Sequence, residues 1–182
     1  MNLKKIIIWL LLILILLIGA TVSIKKYVFP YKYKEYVDKY SEEYNLDPLL
    51  VLAVIKTESN FNKDAESNKG AKGLMQIMDN TGLWASEEVG IQYFTPKMLF
   101  SPEINIRLGC WYLNNLTNEF DDLSLVLAAY NGGSGNVNQW LSDPMYSLDG
   151  KSLDYIPFKE TKKYVDKVKT NYSIYKYFYR EK

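Results

Sequence analysis

The sequence predicts a mostly α-helical protein, with one compact helical domain behind an N-terminal helix long enough to cross a membrane. Three observations carry this. The stretch from Ile6 to Ile24 contains no charged residue. From Tyr31 onward, apolar residues recur at spacings of three and four, the pattern of one buried helix face. No segment shows the sustained period-two alternation of a half-buried strand. At 182 residues, 48% hydrophobic and 24% charged, the chain has room for one domain with a core and lacks the composition of long disorder.

The elements follow in order. Residues 1–5 form a short basic segment with Lys4 and Lys5, and 6–24 is a span that would rise about 28 Å as a helix, close to a bilayer's hydrocarbon thickness. A cleavable signal peptide is the competing reading, but the apolar core is long and "IGATVSI" is a weak cleavage site, so a retained signal-anchor is expected. Lysines flank both ends (Lys4 and Lys5; Lys25, Lys26, Lys32 and Lys34), so basic residues alone do not orient it. Residues 25–30 read as a linker and 31–182 as the domain. Its first helix carries Tyr33, Tyr36, Val37, Tyr40 and Tyr44 on one face and can end at Asn45. "NLDPLLVLAVIKTES" then gives the clearest helix start: Asp47 as N-cap, Pro48 in the first turn, and an apolar run to Ile55 that marks a buried central helix.

Residues 60–73 read as a loop, and "DNTGLWASEEVG" as a short helix capped near Asp79 and closed by Gly90. "SPEINIRLGCWYLNNL" starts a helix at Ser101 and Pro102 with Ile104, Leu108, Trp111 and Tyr112 on one face. Further helices fit Leu123–Tyr130, Gly135–Leu141 and Lys159 to about Tyr179, the last with Tyr164, Val165, Val168 and Tyr175 in step.

Composition narrows the chemistry. A net charge of +1 offers no broad basic field, so nucleic acid is not an expected partner. The chain has no histidine, which removes the commonest zinc ligand and catalytic base. The single cysteine, Cys110, reads as a small buried hydrophobe. Carboxylates, amides and hydroxyls remain. Glu58 stands out because it ends the buried helix: desolvation and the negative end of the helix dipole both disfavour its ionised form. A carboxyl kept protonated near neutral pH is a general acid. The plainer reading of Glu58, a helix-terminal residue turned to water, stands beside this one.

Four ordered motifs then carry a resemblance. "ESNF" from Glu58, "GLMQI" from Gly73, "AAYNGGSGNV" from Ala128 and "IPFKETKKYVDKV" from Ile156 resemble, in order and approximate spacing, those of the soluble-lytic-transglycosylase family. "NGGSG" stands where "NAGPG" is usual, and a lysine where an arginine often follows "ET". The resemblance implies a lysozyme-like helical domain with a substrate groove that cleaves the β-1,4 bond between N-acetylmuramic acid and N-acetylglucosamine, leaving a 1,6-anhydromuramoyl end. It implies Glu58 as acid and then base, with Ser59, Met75, Gln76, Tyr130, Asn131 and Glu160 around the substrate, and no metal or organic cofactor. Its implied partners are peptidoglycan glycan strands and, through the N-terminal helix, the membrane, with the domain on the cell-wall side. A cell-wall-spanning machinery is a further partner option, and the sequence gives no oligomeric state.

Glycosidases that hydrolyse use two carboxylates. Asp64 and Glu66 are candidates for a second, but they lie in the polar loop "NKDAESNKG", where charged residues are ordinarily solvated. A goose-type lysozyme-like hydrolase and a non-catalytic wall-binding scaffold therefore remain alternatives.

Overall fold

The structure is a computed structural model that describes residues 3–180. Residues 1–2 of the expected basic segment and residues 181–182 of the expected domain lie outside the described residues. Among the described residues there are eight α-helices and no strand beyond isolated bridges, and the chain divides between Lys32 and Tyr33 into two compact units.

The first unit is α1 (Leu3–Ser23), continued by a wider helical turn over Ile24–Val28, from the last residue of the expected span into the stretch read as a linker. Lys4–Val28 is long and apolar enough to cross a membrane. Its large side chains from Ile7 to Ile18 are exposed, and each leaves about 1.5–3 kcal/mol of burial free energy unrealised in water.

The second unit is built around α3 (Pro48–Glu58). Asp47 caps it, accepting a hydrogen bond from Leu49 N at 2.8 Å, and Pro48 occupies the first turn. Leu49 through Ile55 are all buried, as a helix apolar on every side requires. Its main neighbour is α8 (Lys159–Tyr179), which buries Thr161, Tyr164, Val165, Val168, Asn171 and Tyr175. The Tyr172 hydroxyl donates to Asp47 at 2.5 Å, and Asn171 Nδ2 donates to Thr57 Oγ1 at 2.9 Å, so α8 holds both ends of α3.

The remaining helices close around this pair. They are α2 (Lys34–Glu43), α4 (Asp79–Glu88), α5 (Pro102–Glu119), α6 (Leu123–Gly132) and α7 (Ser134–Leu141). On α2, Val37 and Tyr40 are buried; Tyr33 precedes the helix in a left-handed conformation, and Tyr36 and Tyr44 are half-buried. On α4, Asp79 lies inside the first turn rather than capping it, since Met78 takes the N-cap position.

The face expected on α5 differs from the one observed. The buried residues are Asn105, Ile106, Leu108, Gly109, Cys110, Leu113 and Leu116, while Ile104, Trp111 and Tyr112 are only half-buried. The cause is that α5 touches α2, α4, α6 and a 3₁₀ turn over Pro96–Phe100 that the periodicity did not signal. A helix wrapped on several sides has no single apolar stripe.

Candidate active site

Two backbone arrangements make the site. The first is the end of α3. Thr57 Oγ1 donates to Ala53 O at 2.8 Å while accepting from Asn171, which fixes the last turn and leaves Glu58 at the floor of a cleft of about 480 Å³.

The second is the tight turn carrying "GLMQI". Lys72 and Ile77 exchange backbone hydrogen bonds, both at 3.0 Å, and Gly73 N donates to Ala65 O at 2.8 Å. Gly73 has φ +75, and a Cβ there would sit 2.2 Å from Leu99 O and 2.3 Å from Asn105 Nδ2. Only glycine fits. Asn105, wholly buried, is the hub of this turn: its Oδ1 accepts from Met75 N at 2.7 Å, and its Nδ2 donates to Leu99 O at 2.8 Å and Lys72 O at 2.9 Å. All of its hydrogen-bonding capacity except one lone pair is spent on backbone.

The expected site residues fall into two groups. Glu58, Gln76, Tyr130, Asn131 and Glu160 line the cleft. Ser59 and Met75 do not. Ser59 Oγ donates to Leu74 O at 2.8 Å, with Ile55 O at 3.2 Å, and so ties the turn to the end of α3. Met75, expected as an apolar wall of the groove, is wholly buried, with its sulfur 2.3 Å from where a Cβ on Gly109 would lie. The turn directs it inward, and its contribution to the site is its carbonyl, which accepts the Tyr130 hydroxyl at 2.9 Å. Gln76 donates through Nε2 to Gly73 O at 2.9 Å and Ala65 O at 3.1 Å, leaving its amide oxygen as the free functional atom. Glu160 is exposed at the first turn of α8 and pairs with Lys69 of the loop at 3.5 Å. Asp64 pairs with the adjacent Lys63 and Glu66 with Lys72, both acids on the exposed side of the loop.

The electrostatics single out Glu58. Burial raises its pKa to about 7. Two groups restrain the shift by favouring the carboxylate: the Tyr164 hydroxyl, then the charge of Lys167. The Tyr164 hydroxyl is buried and has no other partner within ordinary hydrogen-bond geometry, so its proton is turned to the Glu58 carboxyl. Burial, and then the proximity of Glu58, push the Tyr130 and Tyr164 hydroxyls well above the ordinary phenol range, so both stay protonated donors. Burial likewise pushes the Cys110 thiol up, which removes it as a nucleophile. Among the described residues no three acidic or thiol side chains gather as a metal site.

Sequence reasoning assigned no functional part to Asn105, Tyr164 and Lys167. Asn105 carried a signal, since it sits four residues before Gly109 and eight before Leu113 on what becomes the buried side of α5. A polar residue in that place needs partners inside. Tyr164 was legible as a buried position on α8 but not as a neighbour of Glu58, a relation that depends on how α3 and α8 cross.

The Transglycosylase SLT domain pattern matches residues 35–151. The chain belongs to that family. It is 33% identical over 157 residues to the soluble lytic murein transglycosylase of Escherichia coli (strain K12), an alignment covering 85% of this chain and 24% of that protein. It is 39% identical over 120 residues to the membrane-bound lytic murein transglycosylase C of Edwardsiella ictaluri, covering 59% of this chain and 33% of that one. The crystal structure of an inactive mutant of lytic transglycosylase Slt from Pseudomonas aeruginosa superposes with a TM-score of 0.72 at 33% identity, over 82% of this chain and 25% of that one. This chain thus spans about a quarter to a third of the length of these relatives. The second unit is a lysozyme-like helical SLT domain, the mostly α fold that the helical periodicity and the four motifs predict.

Proposed function

We propose that this chain is a membrane-anchored lytic transglycosylase that cleaves the β-1,4 bond between N-acetylmuramic acid and N-acetylglucosamine in peptidoglycan, using Glu58 as its one proton-transferring carboxyl. The observation that carries this reading is a carboxylic acid at the floor of a cleft, its pKa raised by burial to about 7 and flanked by two protonated tyrosines. A group poised there can give a proton and take one back near neutral pH.

In the first half-reaction Glu58 gives its proton to the glycosidic oxygen as the bond to the anomeric carbon breaks. The muramoyl N-acetyl oxygen supports the cationic carbon. In the second half, the Glu58 carboxylate takes the proton of the muramoyl 6-hydroxyl while that oxygen bonds to the anomeric carbon, closing the 1,6-anhydro ring. The attack is intramolecular, which gives it the high effective concentration needed to outrun water. Burial first, then the Tyr164 hydroxyl and the charge of Lys167, set the carboxyl's proton affinity, while Gln76, Asn131 and Glu160 are placed to meet sugar and acetamido groups.

The exposed positions of Asp64 and Glu66, away from the cleft lining, favour this one-carboxyl chemistry over hydrolysis by a pair of acids. The apolar α1 supports anchorage, and the location of the substrate would put the domain on the cell-wall side. The deciding experiment is digestion of purified sacculi by wild type and Glu58→Gln, with mass spectrometry of the products. Anhydromuramoyl ends from wild type and none from the variant are expected. Reducing muramic ends, or a Glu58→Gln variant as active as wild type, would overturn the assignment.

A further inference from the structure

A row of aromatic rings leads out of the Glu58 cleft along α5 to the outer side of α4. Tyr130, at the cleft, lies 5.3 Å from Tyr112 between ring centroids; Tyr112 lies 6.3 Å from Trp84; and Trp84 meets Trp111 at 4.7 Å with planes at 87°. A second hollow of about 260 Å³ runs the same way, sharing Gln76, Tyr130 and Asn131 with the cleft and adding Thr81 and Tyr112. The cleft therefore continues toward α4 instead of ending at Tyr130.

Core packing does not account for Trp84. The residues that α4 buries are Gly82, Ala85 and Ser86, whereas Trp84 is 42% exposed and the neighbouring Leu83 is 49% exposed. Its perpendicular pairing with Trp111 fixes the ring without covering a face of both partners, so rigid aromatic surface is held in water. Such surface suits a ligand with apolar faces and a polar rim. A pyranose ring is one: its C–H groups carry slight positive charge that the negative face of an indole attracts, while its hydroxyls stay at the edge. A side chain with two torsions, already held by Trp111, loses little entropy on binding.

We propose that Trp84, supported by Trp111 and Tyr112, is a sugar-stacking platform for the part of the glycan strand that runs on beyond the residues at Glu58, and that it makes the enzyme favour long strands over short ones. This rests on reading the cleft as a peptidoglycan site, and what selects the glycan as the occupant of this apolar surface is that the second hollow continues the cleft as far as Tyr112, the ring beside Trp84.

The test uses the full chain and glycan strands of two lengths, two disaccharides and many. With Trp84→Ala the ratio of kcat/KM for long over short strands should fall roughly tenfold, the loss of one good aromatic contact, and Trp84→Phe should restore most of it. An unchanged ratio overturns the proposal. Should Trp84→Ala fail to fold, as judged by circular dichroism, Trp84→Leu keeps apolar bulk without a ring and should show the same fall. Binding of long strands to Glu58→Gln, with and without Trp84→Ala, separates this proposal from the catalytic one. Weaker binding in the double variant supports the platform even if the wild type yields no anhydro product, whereas equal binding refutes the platform even if it does.

Discussion

Replacing Glu58 with glutamine should stabilise the protein, and by an amount that depends on pH. The carboxyl's pKa rises from 4.5 to about 7 on folding because burial penalises its charge. A folded-state pKa above the unfolded one means that the native state binds more protons than the unfolded state between those two values, so stability falls as pH rises through the window. The deficit is complete above about pH 7 and amounts to roughly 3 kcal/mol. An uncharged amide of nearly the same shape escapes it. Urea or thermal unfolding of wild type and Glu58→Gln in detergent, at intervals from pH 4 to pH 8, should give closely similar stabilities at the acid end. At pH 8 the variant should be ahead by up to about 3 kcal/mol, on the order of 6–12 °C in Tm. A gap that does not change with pH, or a variant less stable at pH 8, would refute the claim that burial sets this proton affinity.

The same carboxyl should shape activity. Its acid role requires the proton, so kcat/KM should decline above about pH 7, and Tyr164→Phe or Lys167→Met, each removing a group that favours the carboxylate, should move that decline to higher pH. Asn105→Ala breaks three buried hydrogen bonds to the "GLMQI" turn and its neighbours and should cost about 3 kcal/mol in urea unfolding, with turnover reduced even where the protein remains folded. Asp47→Ala removes both the cap of α3 and the acceptor for Tyr172, so a loss of about 1–2 kcal/mol is expected, with little change in the pH profile.

The helices were legible wherever local chemistry decides them. Asp47 and Pro48 start α3 as the sequence indicates, and the buried positions on α8 follow its periodicity. Legibility failed where a neighbour decides. On α5 the buried side is chosen by the elements that surround it, and the 3₁₀ turn at Pro96–Phe100 has too few residues for a period to show. At the site, Glu58 could be picked out because its helix is apolar up to Ile55. Met75 could not be placed, because within "GLMQI" nothing local says which side chain the turn sends inward. That depends on Gln76, which takes φ +50 and spends its amide nitrogen on the loop's own carbonyls.

Several polar side chains around the Glu58 site bind backbone before they can bind anything else. Ser59 holds Leu74 O, Tyr130 holds Met75 O, and Asn105 holds Met75 N, so successive peptide groups of one turn are gripped from α3, α6 and α5. A turn gripped from three helices cannot drift relative to the end of α3, and the separation between Gln76 and Glu58 is thereby fixed to within the play of these bonds. This matters more for a single carboxyl than for a pair. Where two acids divide the work, each can be tuned to its own proton affinity. One group that both gives and takes a proton, the role proposed for Glu58, needs an affinity near the working pH, and it keeps that value only if the depth of its burial is held constant through both proposed half-reactions. The hydrogen bonds spent on the "GLMQI" turn keep the cleft wall, and with it the desolvation of Glu58, from relaxing when the substrate changes charge.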